Sequence, residues 1–186
     1  ARNTVLLKEA KELSELLYEN NIKHIFLKGT ALLLSNVFED IGERMVTDID
    51  FIIQHKDEEK VIKLFSKHNY FGKSPRLYQT LFKIFKPIHL PRRVNENKII
   101  AIEAHLELLS PKYRFVFNSK KLINAFKEKT KTIKTPNKSF LFDHCIYALQ
   151  IDDKGFIKSN HFHRSIYDIY KLDCKNSLAV KNIKKD

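Results

Sequence analysis

Residues 46–53 read VTDIDFII, a run with the β-branched and aromatic content of a buried strand that still carries two carboxylates. Burying an acid costs free energy unless a partner compensates it. A fold that accepts this segment must therefore leave one side of the strand open to solvent or supply a cation. Residues i and i+2 of a strand point the same way, with α-carbons roughly 6–7 Å apart, so Asp48 and Asp50 face one spot. A divalent cation between them, or a proton kept by one of them, relieves their repulsion. Hard oxygen donors with no Cys or His at matching spacing favour Mg²⁺ or Mn²⁺ over Zn²⁺. A bare D-x-D also arises by chance, and a solvated strand end is the alternative reading.

The surrounding pattern alternates strand and helix, which argues for an α/β or α+β chain. Leu6, Leu7, Leu13, Leu16 and Leu17 have helical spacing over 4–20, with Thr4 as a possible cap and Asn20-Asn21 as a stop. A strand over 24–28 is expected to turn at Gly29 into a helix near 30–37, followed by a loop at 38–44, a strand over 47–54 and a helix over 56–69. Residues 80–90 and 99–109 read as two antiparallel strands joined by a polar turn at 91–98. In the second, Ile100, Ile102, Ala104, Leu106 and Leu108 share one face and Glu103, His105 and Glu107 the other. Helices are expected near 119–127, 139–150 and 159–172, with a Lys/Thr segment at 127–137, a loop at 152–155 and a basic tail. No repeat or Gly/Ser-rich linker divides the chain. The expected organisation is a core over 1–118 and a mainly helical extension over 119–186.

With 186 residues, 43% of them hydrophobic, the chain can bury one real core. No apolar run approaches the ~18 residues of a membrane span, and no signal-peptide pattern is visible at the first residues, so a soluble, cytoplasmic protein is expected. Only Cys145 and Cys174 occur, too few for a disulfide framework. The first residue is Ala rather than Met, so the natural chain is expected to be processed or longer. The net charge of +12 is uneven. Residues 1–70 hold 10 Lys/Arg and 12 Asp/Glu, leaving 24 basic and 10 acidic residues for 71–186. A basic second part suits a polyanionic partner, nucleic acid or nucleotide phosphates; a compositional bias of the source explains it equally well.

The stretch FLKGTALL at 26–33 adds context to the acids. A strand, then Gly29-Thr30, then a helix start aims backbone N–H groups and a hydroxyl at an approaching phosphate, and Lys28 adds positive charge. A triphosphate needs both such a cradle and a metal site.

Together, RN at 2–3, NNIKHIFLKGTALL at 20–33, VFEDIGERMVTDIDFII at 37–53 and IEAHLELL at 102–109 resemble the uncharacterised bacterial nucleotidyltransferase family of the polymerase-beta-like superfamily. The resemblance implies an α+β minimal nucleotidyltransferase fold, with a mixed sheet flanked by helices and a helical C-terminal part. It also implies Mg²⁺-dependent transfer of a nucleoside monophosphate from an NTP to an acceptor hydroxyl, with release of pyrophosphate. On this resemblance Gly29 and Thr30 match the phosphate-holding glycine motif, Asp48 and Asp50 the metal pair, and Glu103 the third carboxylate. Two features depart from the superfamily pattern. Seventeen residues, Ala31 to Thr47, separate the glycine motif from the first acid, although the closer family shares this longer loop and its arginine, here Arg44. The third acid is Glu rather than Asp.

Each side chain also has a plainer reading. Glu103 is a metal ligand or proton acceptor, or else an exposed strand acid. His105 touches the acceptor or orients Glu103, or is a hydrogen-bonded structural histidine. Arg44 neutralises phosphate charge or pairs with Asp48 or Asp50. His161 and His163 would face apart on a helix and read as ordinary side chains. The acceptor, whether a small hydroxylated molecule, a sugar, a protein side chain or an RNA end, is not legible. Two further readings stand beside the enzyme, a toxin-type transferase acting on tRNA and an inactive basic module that binds RNA or a partner protein.

Overall fold

The computed structural model describes residues 1–72, 88–125, 133–152 and 163–172. Among these residues the centre is a five-stranded mixed sheet built around the 48–53 strand, giving an α+β fold consistent with a minimal nucleotidyltransferase. The strands are β1 (His24–Phe26), β2 (Asp48–Ile53), β3 (Tyr70–Gly72), β4 (Arg93–Asn95) and β5 (Ala101–His105), in the spatial order β1-β2-β5-β4-β3. β2 runs parallel to β5 and antiparallel to β1, while β4 is antiparallel to both β5 and β3.

Strand alternation gives the sheet two unlike faces. Phe26, Ile49, Phe51, Ile53, Ile102 and Ala104 enter the larger core, against α1 (Arg2–Glu19) and α3 (Glu58–Lys67). Ile25 and Ile52 point the other way into a smaller core with Leu108, Phe117 and Leu122. That face is covered by α4 (Ser119–Ala125) and α5 (Lys138–Tyr147). Asp48, Asp50, Glu103 and His105 share the second face, at the end this cover leaves open. α2 (Lys28–Leu34) and α6 (His163–Leu172) complete the described helices, and a π-type turn over Ala148–Asp152 follows α5. No helix among the described residues is long and apolar enough to cross a membrane.

Several boundaries differ from expectation for local reasons. α1 starts at Arg2, with Thr4 inside its first turn, because the side chains of residues 2 and 3 are tied to the 41–47 backbone. β1 stops at Phe26, since Lys28 adopts φ +49° and turns the chain directly into α2. The expected turn at 91–98 contains β4, a three-residue strand too short to show a period. The long strand at 99–109 is regular only over five residues. Of its expected partner at 80–90, residues 88–90 are described, and His89 forms an antiparallel bridge to His105. The other expectations at 73–87, 126–132, 153–162 and 173–186, including His161, Cys174 and the basic tail, lie outside the described residues.

Candidate active site

The parallel register of β2 and β5 sets Asp50 directly beside Glu103, so two acids far apart in sequence converge from neighbouring strands. Nε2 of His105 lies 2.8 Å from Asp50 Oδ1 and 3.3 Å from Glu103 Oε2. On the other side of Glu103, Nδ1 of His89 lies 3.2 Å from Oε1. The Lys28 ammonium lies 3.0 Å from Asp50 Oδ1 and 3.7 Å from Glu103 Oε2. Ligand atoms of Asp50, Glu103 and His105 all fall within 4.8 Å of one another, a compact mixed oxygen and nitrogen donor set that could hold a metal ion. Asp48 shares the strand face but stands outside this set. Its carboxylate accepts a hydrogen bond from the Thr47 hydroxyl at 3.0 Å and lies 3.8 Å from the Arg92 guanidinium.

Electrostatics separate the two aspartates. Burial and the charge of Asp50 push the Asp48 carboxyl above its usual range. Burial would raise Asp50 as well, but Lys28 and His105 outweigh it and hold that carboxyl well below the usual range. Glu103 is also lowered, the burial penalty being overcome by His105, His89 and Lys28. Lys28 in turn is raised, since Asp50 and Glu103 outweigh its own desolvation. Lys28, Asp50 and Glu103 thus favour one another's charged forms.

Lys28, Asp48, Asp50, His89 and His105 line a cavity of about 540 Å³, within the range of small-molecule sites. Lys28, Gly29, Asp48 and Asp50 form one wall, and Cys145, Leu149 and Arg164 from the helical part form the opposite one. The Cys145 thiol is pushed up to about 12 by burial, which makes it wall material rather than a nucleophile.

The glycine motif is used differently from expectation. The Thr30 hydroxyl is fully buried, donating to the Asp48 carbonyl at 3.1 Å and accepting from the Asp50 N–H at 3.3 Å. It fastens α2 to β2 and does not face the cavity. Gly29 does reach the cavity, but a Cβ there would stand 2.9 Å from a Val46 methyl, so its small size serves packing in the first place. Arg44 lines the cavity and pairs with neither strand aspartate. Its guanidinium grips Asp168 of α6 in a two-pronged contact, Nε to Oδ1 at 2.9 Å and Nη2 to Oδ2 at 3.0 Å. A second tie joins the same elements, with Glu43 receiving the Tyr167 hydroxyl at 2.6 Å and the Lys171 ammonium at 2.8 Å.

The 41–47 backbone is held from the other side by Arg2 and Asn3. The Asn3 amide donates to the carbonyls of Ile41 and Arg44 and accepts from the Val46 N–H, and the Arg2 guanidinium donates to the carbonyls of Val46 and Thr47. Glu107, expected on the acid face, turns away to His55 at 2.8 Å and Ser119 at 2.7 Å.

His89, Arg92, His144 and Asp168 were not singled out from sequence. Asp168 carried a usable signal, since it precedes the buried Leu172 by four residues and places an acid on the apolar face of α6. His89 sits in an otherwise apolar stretch and becomes informative only once its bridge to His105 is known.

No curated protein has a significant match to the chain. A family model described as an uncharacterised nucleotidyltransferase matches residues 1–176. Because that match takes in both acid-bearing strands and the helices walling the cavity, the chain belongs to this nucleotidyltransferase family and is a nucleotidyltransferase enzyme.

Proposed function

We propose that the protein transfers a nucleoside monophosphate from an NTP to an acceptor hydroxyl, using Mg²⁺ or Mn²⁺ held by Asp50 and Glu103 with Asp48 beside them. The observation that carries this reading is the juxtaposition of Asp50 and Glu103 across β2 and β5, with Asp50 lining a cavity sized for a nucleotide. The donor set fits a hard or borderline divalent cation. When bound, such an ion supplies Lewis-acid stabilisation of the charge that develops at phosphorus.

The protein's own groups take the remaining tasks. Lys28 and Arg44 offset phosphate charge, and the α2 N-terminus at Gly29 presents backbone N–H groups to it. Glu103 accepts the proton of the acceptor hydroxyl at a carboxylate oxygen, while His105 and His89 fix its orientation. The acceptor oxygen forms a bond to the α-phosphorus, and the bond from that phosphorus to the bridging oxygen breaks. Pyrophosphate leaves with the electron pair. In this reading residues 1–118 are the catalytic core, 119–186 are a mainly helical extension whose α5 and α6 help to line the cavity, and the basic residues of 71–186 keep an RNA acceptor among the candidates.

Incubating the protein with each α-labelled NTP, Mg²⁺ or Mn²⁺ and a fractionated extract of its own cells tests the proposal. Label should appear in one fraction and disappear with Asp50→Asn. Absence of label from every fraction, combined with RNA binding of steep salt dependence, would favour the binding module.

A further inference from the structure

Lys28 occupies a backbone conformation that lysine has no intrinsic reason to adopt. Its φ of +49° lies in the left-handed region, which is disfavoured for a non-glycine residue. The adjacent residue is a glycine with no positive φ, so the strained position falls on the lysine although glycine stands next to it. The turn at Leu27–Lys28 sends the lysine stem over β2 and sets its ammonium 3.0 Å from Asp50 and 3.7 Å from Glu103. Asp50 and Glu103 are two of the three residues whose donor atoms converge. The Asp50 side chain is only 7% exposed and that of Glu103 15%, so solvent alone does little to offset their repulsion. The lysine side chain is 41% exposed, and its four-carbon stem leaves it free to swing towards the cavity.

We propose that Lys28 is a resident counter-ion of the acid cluster, holding Asp50 and Glu103 together in the metal-free protein and exchanging places with the incoming divalent cation. This deepens the metal-site reading above and rests on it. Two positive groups cannot share the space between these carboxylates without strong repulsion, so cation binding must displace the ammonium. The displaced ammonium, anchored in the first turn of α2, remains at the cavity wall where triphosphate oxygens would lie. One lysine thereby spares the empty site its like-charge repulsion and then serves the nucleotide. The signature is a pair of opposed effects, because a residue that merely completes the site would weaken cation binding when removed, whereas a competitor strengthens it.

Mn²⁺ binding to the nucleotide-free protein at pH 8, read from the free-ion electron paramagnetic resonance signal, tests this independently of turnover. Lys28→Met and Lys28→Gly are compared with wild type; the glycine variant suits the left-handed φ and guards against misfolding. Both should bind Mn²⁺ about tenfold more tightly or better. In the presence of a chelator, Lys28→Met should unfold at lower urea than wild type, and it should gain more stability from added Mn²⁺. Wild-type binding with equal or weaker affinity in both variants overturns the exchange and leaves the metal site standing. A wild type that binds no Mn²⁺, or whose binding survives Asp50→Asn, overturns both.

Discussion

The guanidinium of Arg44 and the carboxylate of Asp168 meet in a two-pronged ion pair across 124 positions of sequence, joining the loop before the acid strand to the helix on the far side of the cavity. Both side chains are largely buried, 12% and 7% exposed. Removing one partner of such a pair strands the other, at a cost of ~3 kcal/mol. Asp168→Leu should lower stability by that order, whereas Arg44→Met/Asp168→Leu should cost clearly less than the two single changes added together. Urea unfolding of the four proteins measures the coupling, and simple additivity would remove the pair from the account.

Gly29 is expected to be intolerant of a methyl group for packing reasons. Alanine there meets the stiff, buried Val46 side chain, and overpacking of this kind costs ~1–3 kcal/mol. In a Val46→Ala background the space opens, and Gly29→Ala should become neutral or stabilising through its better helix propensity, worth up to ~1 kcal/mol. Denaturation midpoints that do not depend on residue 46 would contradict the contact.

Acid should weaken the fold before ordinary carboxylates titrate. Burial lowers His24 to about 4 and His144 to about 3 from an ordinary 6.5. Below pH 6.5 the unfolded chain takes up protons that these folded histidines refuse, so stability falls with pH by up to ~1.4 kcal/mol per unit for each. Asp50 and Glu103, whose values are depressed, add a further loss only below the ordinary carboxylate range. Asp48 and Asp168 are raised by burial and act with the opposite sign close to that range. Unfolding free energies at pH 7.5 and 5.0 should therefore differ, and His24→Gln should shrink the difference. A pH-independent free energy over this window would rule the mechanism out.

Glu103→Gln separates chemistry from binding. The amide keeps the shape but cannot accept the acceptor's proton, so turnover should fall by a factor on the order of 10² or more. Affinity for the metal-bound NTP should stay within about tenfold, ~1.4 kcal/mol. Single-turnover rates measured beside calorimetric affinities make the comparison. Equal losses in both would place Glu103 in binding alone.

Much of the sheet was legible because alternation is a local property. The faces of β5 and the shared side of Asp48 and Asp50 follow from period two, and Glu103 and His105 lie on the side it assigns them. What alternation cannot supply is partnership. Nothing local announces that Asp50 sits opposite Glu103, that Thr30 turns its hydroxyl inward to β2, or that Arg44 reaches past both strand acids to a helix 124 positions away. β4 escaped for a related reason, since three residues between Pro91 and Asn97 carry too little pattern to distinguish a short strand from a turn. The left-handed Lys28 was equally invisible, because the glycine beside it drew the expected turn one position too far.

The long reach from Arg44 to Asp168 also has a consequence for the chain while it is being made. Asp168 follows His105 by 63 residues, and a ribosome adding ~5–20 residues per second releases both acid-bearing strands several seconds before α6. During that interval the nascent protein can assemble its carboxylates yet lacks the far wall that encloses a nucleotide. Competence therefore waits for α6 to emerge, so chains that stop short of it hold the charges of the site without the chamber in which they would act.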